Sequence, residues 1–137
     1  MNKLFVFPLI IFLLCISFTK IYAQTAESYA DSGFIKFAKQ DYLGAIKEYT
    51  NAIALNPKND NYYVFRGYSN LKIRKYKDAI LDFSNAIEIK PNYYSYYLNR
   101  GSAKQLNGDK EGACLDYKKY MEISGLPPSD DIKQFCE

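Results

Sequence analysis

The sequence predicts an all-α fold in which three helical hairpins stack side by side and a short C-terminal helix closes the stack. Three observations predict it. First, residues recur at a spacing of 34: Gly33, Gly67 and Gly101; Ala45, Ala79 and Ala113; Tyr29, Tyr63 and Tyr97; and the aromatic series Tyr49, Phe83 and Tyr117. Self-similarity at such a period marks a repeat architecture whose units cannot bury their apolar faces alone. Second, apolar spacing within a unit is helical in two consecutive stretches; Ala79, Ile80, Phe83, Ala86 and Ile87 follow the i, i+3, i+4, i+7 rule of a core-facing helix. Third, Asn56-Pro57 and Lys90-Pro91 close the first two units, because the residue before Pro leaves the helical region and Pro donates nothing to a helix ladder.

Taken in order, the chain opens with a leader. Met1 to Lys3 is a short basic start, and Leu4 to Thr19 is an uncharged, apolar run of 16 residues. This reads as a signal peptide over 1–23, with a cleavage site at Ile21-Tyr22-Ala23. The run is shorter than the roughly 20 residues an untilted membrane-spanning helix needs. The expectation is export to the periplasm or secretion, without stable membrane insertion after cleavage; the alternative is an uncleaved N-terminal anchor. A lipid-attachment reading of Cys15 is disfavoured, since Phe12 and Leu14 stand where that signal wants Leu and a small residue.

The mature domain, 24–137, then holds units at 26–59, 60–93 and 94–127. Polar turns at Lys39-Gln40-Asp41, Arg74-Lys75 and Asn107-Gly108-Asp109 split each unit into two helices. A Gly inside a helix costs about 1 kcal/mol relative to Ala. The expected compensation is close approach of the paired helices, with Gly33, Gly67 and Gly101 opposite Ala45, Ala79 and Ala113. Arg66 and Arg100, and the acids Glu48, Asp82 and Asp116, also keep the period, and are expected to pair within or between repeats. In the tail over 129–136, Ser129 can cap a helix whose first turn carries Asp130 and Asp131, favourable near the positive end of the helix dipole.

Composition narrows function further. The 137 residues carry 18 Lys plus Arg against 15 Asp plus Glu, a net charge of +3, with no His. Without His there is no Ser-His or Cys-His nucleophile pair and no His-ligated zinc. No catalytic residue, metal site or cofactor is expected, and Asp41, Asp78, Asp109 and Glu111 lie near different turns instead of converging as an acid–base pair. The low charge disfavours nucleic acid. Tyr93-Tyr94-Ser95-Tyr96-Tyr97 resembles a stacking platform, but a helix turns neighbouring residues to different faces, and packing between units accounts for most of it.

These residues resemble the tetratricopeptide repeat family, in an exported bacterial form. The family pattern of aromatic, Gly, Ala, aromatic, small residue and Pro stands here as Tyr63, Gly67, Ala79, Phe83, Ala86 and Pro91, and again as Tyr29, Gly33, Ala45, Tyr49, Ala52 and Pro57. The third unit departs from it at Tyr120 and Gly125, as a last repeat meeting a cap would. The resemblance implies a right-handed α-solenoid whose first helices line a concave groove that holds a protein or peptide. In that register Glu27, Ala30, Phe34 and Phe37, then Asn61, Val64, Tyr68 and Leu71, then Ser95, Leu98, Ser102 and Gln105 face the groove. Phe34, Phe37, Asn61, Val64, Tyr68, Leu71 and Leu98 are the candidate partner-binding residues, although Phe34 and Phe37 could instead be covered by N-terminal residues. The Lys and Asn with which one subset of the family grips an acidic chaperone tail are replaced by Ala30, Phe34, Phe65, Ser95 and Asn99, so that specificity is not expected. The competing expectation is a structural subunit of a cell-envelope assembly that uses its ends or convex face. Oligomeric state is not set by the sequence.

Cys114 occupies the slot of Ile46 and Ile80, which should pack on whatever element follows, and here the tail carries Cys136. A Cys114–Cys136 disulfide is expected, closing a loop of about two dozen residues and contributing roughly 3 kcal/mol. Two buried thiols acting as small hydrophobes are the alternative.

Overall fold

The structure is a computed structural model and describes residues 25–137. The predicted leader lies outside the described residues. Seven helices and no strands are present among those described: α1 (Ala26–Ala38), α2 (Tyr42–Leu55), α3 (Asp60–Lys72), α4 (Tyr76–Ile89), α5 (Tyr94–Leu106), α6 (Lys110–Ser124) and α7 (Asp130–Cys136). They pack in successive adjacent pairs: α1 on α2, α3 on α4 and α5 on α6 form hairpins, while α2 on α3 and α4 on α5 join one hairpin to the next. None of these helices is long and apolar enough to cross a membrane.

Local chemistry sets the ends. Thr25 and Ser28 form a reciprocal capping box at α1, and the Asp41 and Asp109 carboxylates accept from the Gly44 and Gly112 amides to start α2 and α6. Each intra-hairpin turn passes through one residue of positive φ: Gln40 and Arg74 at 63° and Gly108 at 85°. These three are themselves 34 apart, so the turn geometry repeats even where Gly does not. Gly125, at φ 69°, ends α6 in place of the Pro that ends the earlier units.

Ala45, Ala79, Ala113, Ala52 and Ala86 are fully buried, with Tyr49, Phe83 and Tyr117 beside them. The repeated glycines give the close approach expected from spacing, with a Cβ on Gly101 only 3.3 Å from the Ala113 carbonyl oxygen, and the rings beside the alanines come closest of all. Their closest cross-helix neighbours are the aromatic rings four residues beyond the alanines: a Cβ on Gly33 would sit 3.0 Å from Tyr49 Cζ, on Gly67 3.0 Å from Phe83 Cε1, and on Gly101 2.7 Å from Tyr117 Cε1. Each glycine therefore makes a seat for a ring, and a packed ring has little room to retreat.

A polar belt ties the hairpins together. The Arg66 Nε and Nη2 groups donate to Asp82 Oδ1 at 3.0 and 2.7 Å, and its Nη1 reaches back to Thr50 Oγ1 of the preceding repeat at 3.1 Å. Arg100 copies this one repeat later, on Asp116 and on Ser84 Oγ. The guanidinium thus pairs within its own repeat and staples that repeat to the one before. In the first repeat Ser32 holds the arginine slot, and Lys36 Nζ meets Glu48 Oε1 at 2.5 Å instead. Between the second and third repeats the Tyr96 hydroxyl donates to the buried Asp60 carboxylate, whose other oxygen meets Lys90 Nζ at 2.8 Å.

The two arginines differ in what they leave behind. Burial pushes the Asp82 carboxyl up, and Arg66 and then Asn70 pull it back part of the way. Asp116 keeps Lys104 Nζ at 2.9 Å besides Arg100. Arg66→Ala is expected to cost about 3 kcal/mol, because it strands a buried carboxylate with only the Asn70 amide. Arg100→Ala is expected to cost clearly less. Urea unfolding followed by circular dichroism at pH 7 measures both, and equal losses would contradict this account of the belt.

Candidate functional site

The first helices of the three hairpins, α1, α3 and α5, carry a connected aromatic cluster on one face. Phe34 of α1 meets Phe65 of α3 edge to face at 6.4 Å. Phe65 touches Tyr68 at 6.5 Å, and Tyr68 packs edge-on against Phe83 at 5.5 Å. The Tyr68 hydroxyl accepts from Asn99 Nδ2 of α5 at 2.8 Å, which carries the face across to the third repeat. Phe34 stays 57% exposed, while Phe37 is half-buried against Tyr42 at 5.4 Å.

Under this cluster lies Tyr49. Its ring stacks on Phe65, with centroids 5.7 Å apart and planes 13° from parallel. The residue is 1% exposed, and its hydroxyl has no hydrogen-bond partner among the described residues. The third repeat shows what is missing. There the Tyr117 hydroxyl donates to Gln105 Oε1 at 2.6 Å and lies 3.5 Å from Ser102 Oγ. One step of 68 residues back, those two slots are Phe37 and Phe34. The first repeat keeps a tyrosine whose partners have both been replaced by phenylalanine, and the equivalence aims its hydroxyl at the Phe34–Phe37 turn of α1. Burial, followed by the negative charge of Asp31, pushes its pKa up to about 12.

Residues 60–93 match the tetratricopeptide repeat family. Among solved structures, the second TPR of Spaghetti (RPAP3), bound to the HSP90 peptide SRMEEVD, is 31% identical, with 73% of this chain and 93% of that one aligned at a TM-score of 0.68. This chain belongs to the tetratricopeptide repeat family. The second TPR domain of human RPAP3, in complex with the HSP70 peptide SGPTIEEVD, is 26% identical, with 81% of this chain and 94% of that one aligned at a TM-score of 0.69. The Arabidopsis OM64 TPR domain, 23% identical over 81% of this chain and 90% of its own, shares the fold at a TM-score of 0.71. No curated protein shares significant sequence similarity with the chain.

In this tetratricopeptide repeat chain the predicted groove residues divide. Phe34 and Asn61 are exposed, and Phe37, Tyr68, Leu71 and Leu98 are half-buried. Val64 is a correction: at 8% exposure it belongs to the core cluster with Ala79, Phe83 and Tyr96, because the third hairpin closes over it. Two residues outside the candidate set complete the site. Phe65 bridges Phe34 and Tyr68, and its repeat position, shared with Asp31 and Asn99, was the signal for it. Tyr49 reads from spacing as a core ring, and nothing in its own repeat shows that its hydroxyl is unpaired; comparison with Tyr117 and its two partners does. At the far end α7 lies on α6, with Phe135 edge-on to Tyr117 at 6.4 Å. Cys114 and Cys136 come together there, their Cα atoms 5.7 Å apart and their sulfurs 2.04 Å apart.

Tyr49→Phe is expected to stabilise the fold by about 1 kcal/mol at pH 7, since it removes a buried hydroxyl without a partner. The sign with pH follows from a raised folded-state pKa. The neutral phenol's contribution is full below the ordinary value of 10.0 and is lost as pH rises toward about 12. The gap between variant and parent should widen across that window in urea unfolding titrations; a gap constant from pH 7 to 12 would refute the assignment.

Proposed function

We propose that this chain is an exported, non-catalytic interaction module that holds a peptide or protein segment in its concave groove. The observation that carries the reading is the aromatic cluster across the first two hairpins, where exposed Phe34 leads into half-buried Phe65 and Tyr68. Exposed apolar clusters of this kind are where soluble proteins dock partners. Relatives 26 to 31% identical, RPAP3 TPR domains bound to HSP90 and HSP70 peptides, support a peptide as the kind of ligand. The acidic peptides of those relatives are not the ligand proposed here, because Ala30, Phe34, Phe65, Ser95 and Asn99 offer no cation. An extended or helical segment with apolar side chains fits better, with Asn61 and Ser95 at hand for its backbone and an affinity of around micromolar, or about −8 kcal/mol.

Export by a cleaved leader over 1–23 belongs to the same proposal and is supported by the basic start, the uncharged run and the Ala23 cleavage site. In an oxidising compartment Cys114 and Cys136 would stay bonded and hold α7 on the last repeat. A second reading, a subunit of an envelope assembly, is favoured by Leu43, Leu81 and Leu115. These are 66, 61 and 63% exposed and lie on the second helices of the three hairpins.

Two measurements test the proposal. Phe34→Ala with Tyr68→Ala should weaken capture of the natural partner at least about tenfold, with Phe34→Ala alone, at an exposed position, as the variant that keeps the fold. Capture that survives both moves the function to the second helices. Intact mass in denaturant should rise by about two hydrogens on reduction, and an unchanged mass under conditions that reduce other proteins removes the bond.

A further inference from the structure

The charges around the groove are asymmetric. Glu27, Asp31 and Phe34 stand at i, i+4 and i+7 on α1 and therefore share one stripe of that helix. Both carboxylates belong to exposed residues, and neither enters an ion pair among the described residues. Asp31 occupies the repeat position that Phe65 and Asn99 hold on the same face. The cations of the first helices are nearly all committed elsewhere: Lys36 to Glu48, Arg66 to Asp82, and Arg100 and Lys104 to Asp116. Only Lys72, in the last turn of α3, is without an acid partner among them. The first-repeat end of the groove is thus acidic above and aromatic beside.

We infer that this end of the groove takes a cationic, apolar peptide: a Lys or Arg side chain against Glu27 and Asp31, and a Leu or Phe side chain on Phe34 and Phe65. The inference rests on the groove reading above and adds the partner's chemistry to it. Each part meets a separate need of the site. The two carboxylates gain a counter-charge, and the exposed ring of Phe34 is covered. A Lys or Arg on the peptide costs little to desolvate, because both carboxylates stay at the rim in water.

The test uses the protein as recovered from export and three fluorescein-labelled dodecapeptides that share Leu and Phe positions but carry Lys, Ser or Glu at the remainder. Fluorescence anisotropy should give micromolar binding for the Lys peptide, about tenfold tighter than for the Glu peptide. That preference should shrink severalfold between about 50 and about 500 mM salt, as screening of rim charges requires. Glu27→Gln with Asp31→Asn should weaken the Lys peptide about fivefold and leave the Ser peptide unchanged. Equal or tighter binding of the Glu peptide, or indifference of the Lys peptide to the double carboxylate change, overturns the inference while the groove reading stands. Binding that ignores Phe34→Ala overturns the groove reading itself. A dimer abolished by Phe34→Ala, with no peptide bound by either form, gives the face to a second copy and overturns the inference as well.

Discussion

The contact on which the structure depends is that of a glycine with an aromatic ring across each hairpin. Gly33 meets Tyr49, Gly67 meets Phe83 and Gly101 meets Tyr117, each so closely that a methyl group would intrude on the ring. That contact sets the distance between paired helices, and the buried alanines, Ala45, Ala79 and Ala113, fit the space the distance leaves. A helical glycine is unfavourable in isolation. Three of them in register persist because each exchanges local helix stability for a buried ring, and aromatic burial is the larger gain.

Stacking of one hairpin on the next is a separate matter, and it is polar. The arginine at the equivalent position of the second and third repeats grips an acid in its own hairpin and a hydroxyl in the preceding one, Thr50 or Ser84. A planar group with five donors can serve both partners at once, which a lysine cannot do with the same geometry. The first repeat has no hairpin before it among the described residues, and there the slot is Ser32. Lys36 and Glu48 close that site with a simple ion pair. The same grading is visible at the other end, where Gly125 stops α6 and a helix of seven residues, α7, covers the last hairpin.

The first repeat departs from its sisters in the place where the groove is most aromatic. Phe34 and Phe37 stand where the third repeat has Ser102 and Gln105, and the change strands the Tyr49 hydroxyl. A local rule of packing, that buried polar groups find partners, is broken at one atom while its repeat equivalent obeys it. Such departures gather at sites under demands other than stability. The exposed ring of Phe34, its neighbour Phe65 and the unpaired hydroxyl lie together, whereas the corresponding part of the third repeat is polar and internally satisfied.

The period of 34, the helical spacing inside it and the prolines that interrupt it were enough to specify three hairpins, their turns and the repeat family, because those signals are local and occur in up to three copies. The pairing of Arg66 and Arg100 with acids was legible for the same reason. Which atoms meet across a hairpin was not. Spacing put the glycines near the alanines, but it does not say which neighbour comes closest; that is decided by how the helices cross, and the rings reach the glycines first. The burial of Val64, and the bridging position of Phe65, depend on where the neighbouring hairpin comes to rest. The missing partner of Tyr49 is a relation among three helices, α1, α2 and α3. A linear pattern records which residues recur; only packed helices reveal which polar group is left without an answer, because satisfaction is a property of the surroundings and not of the residue.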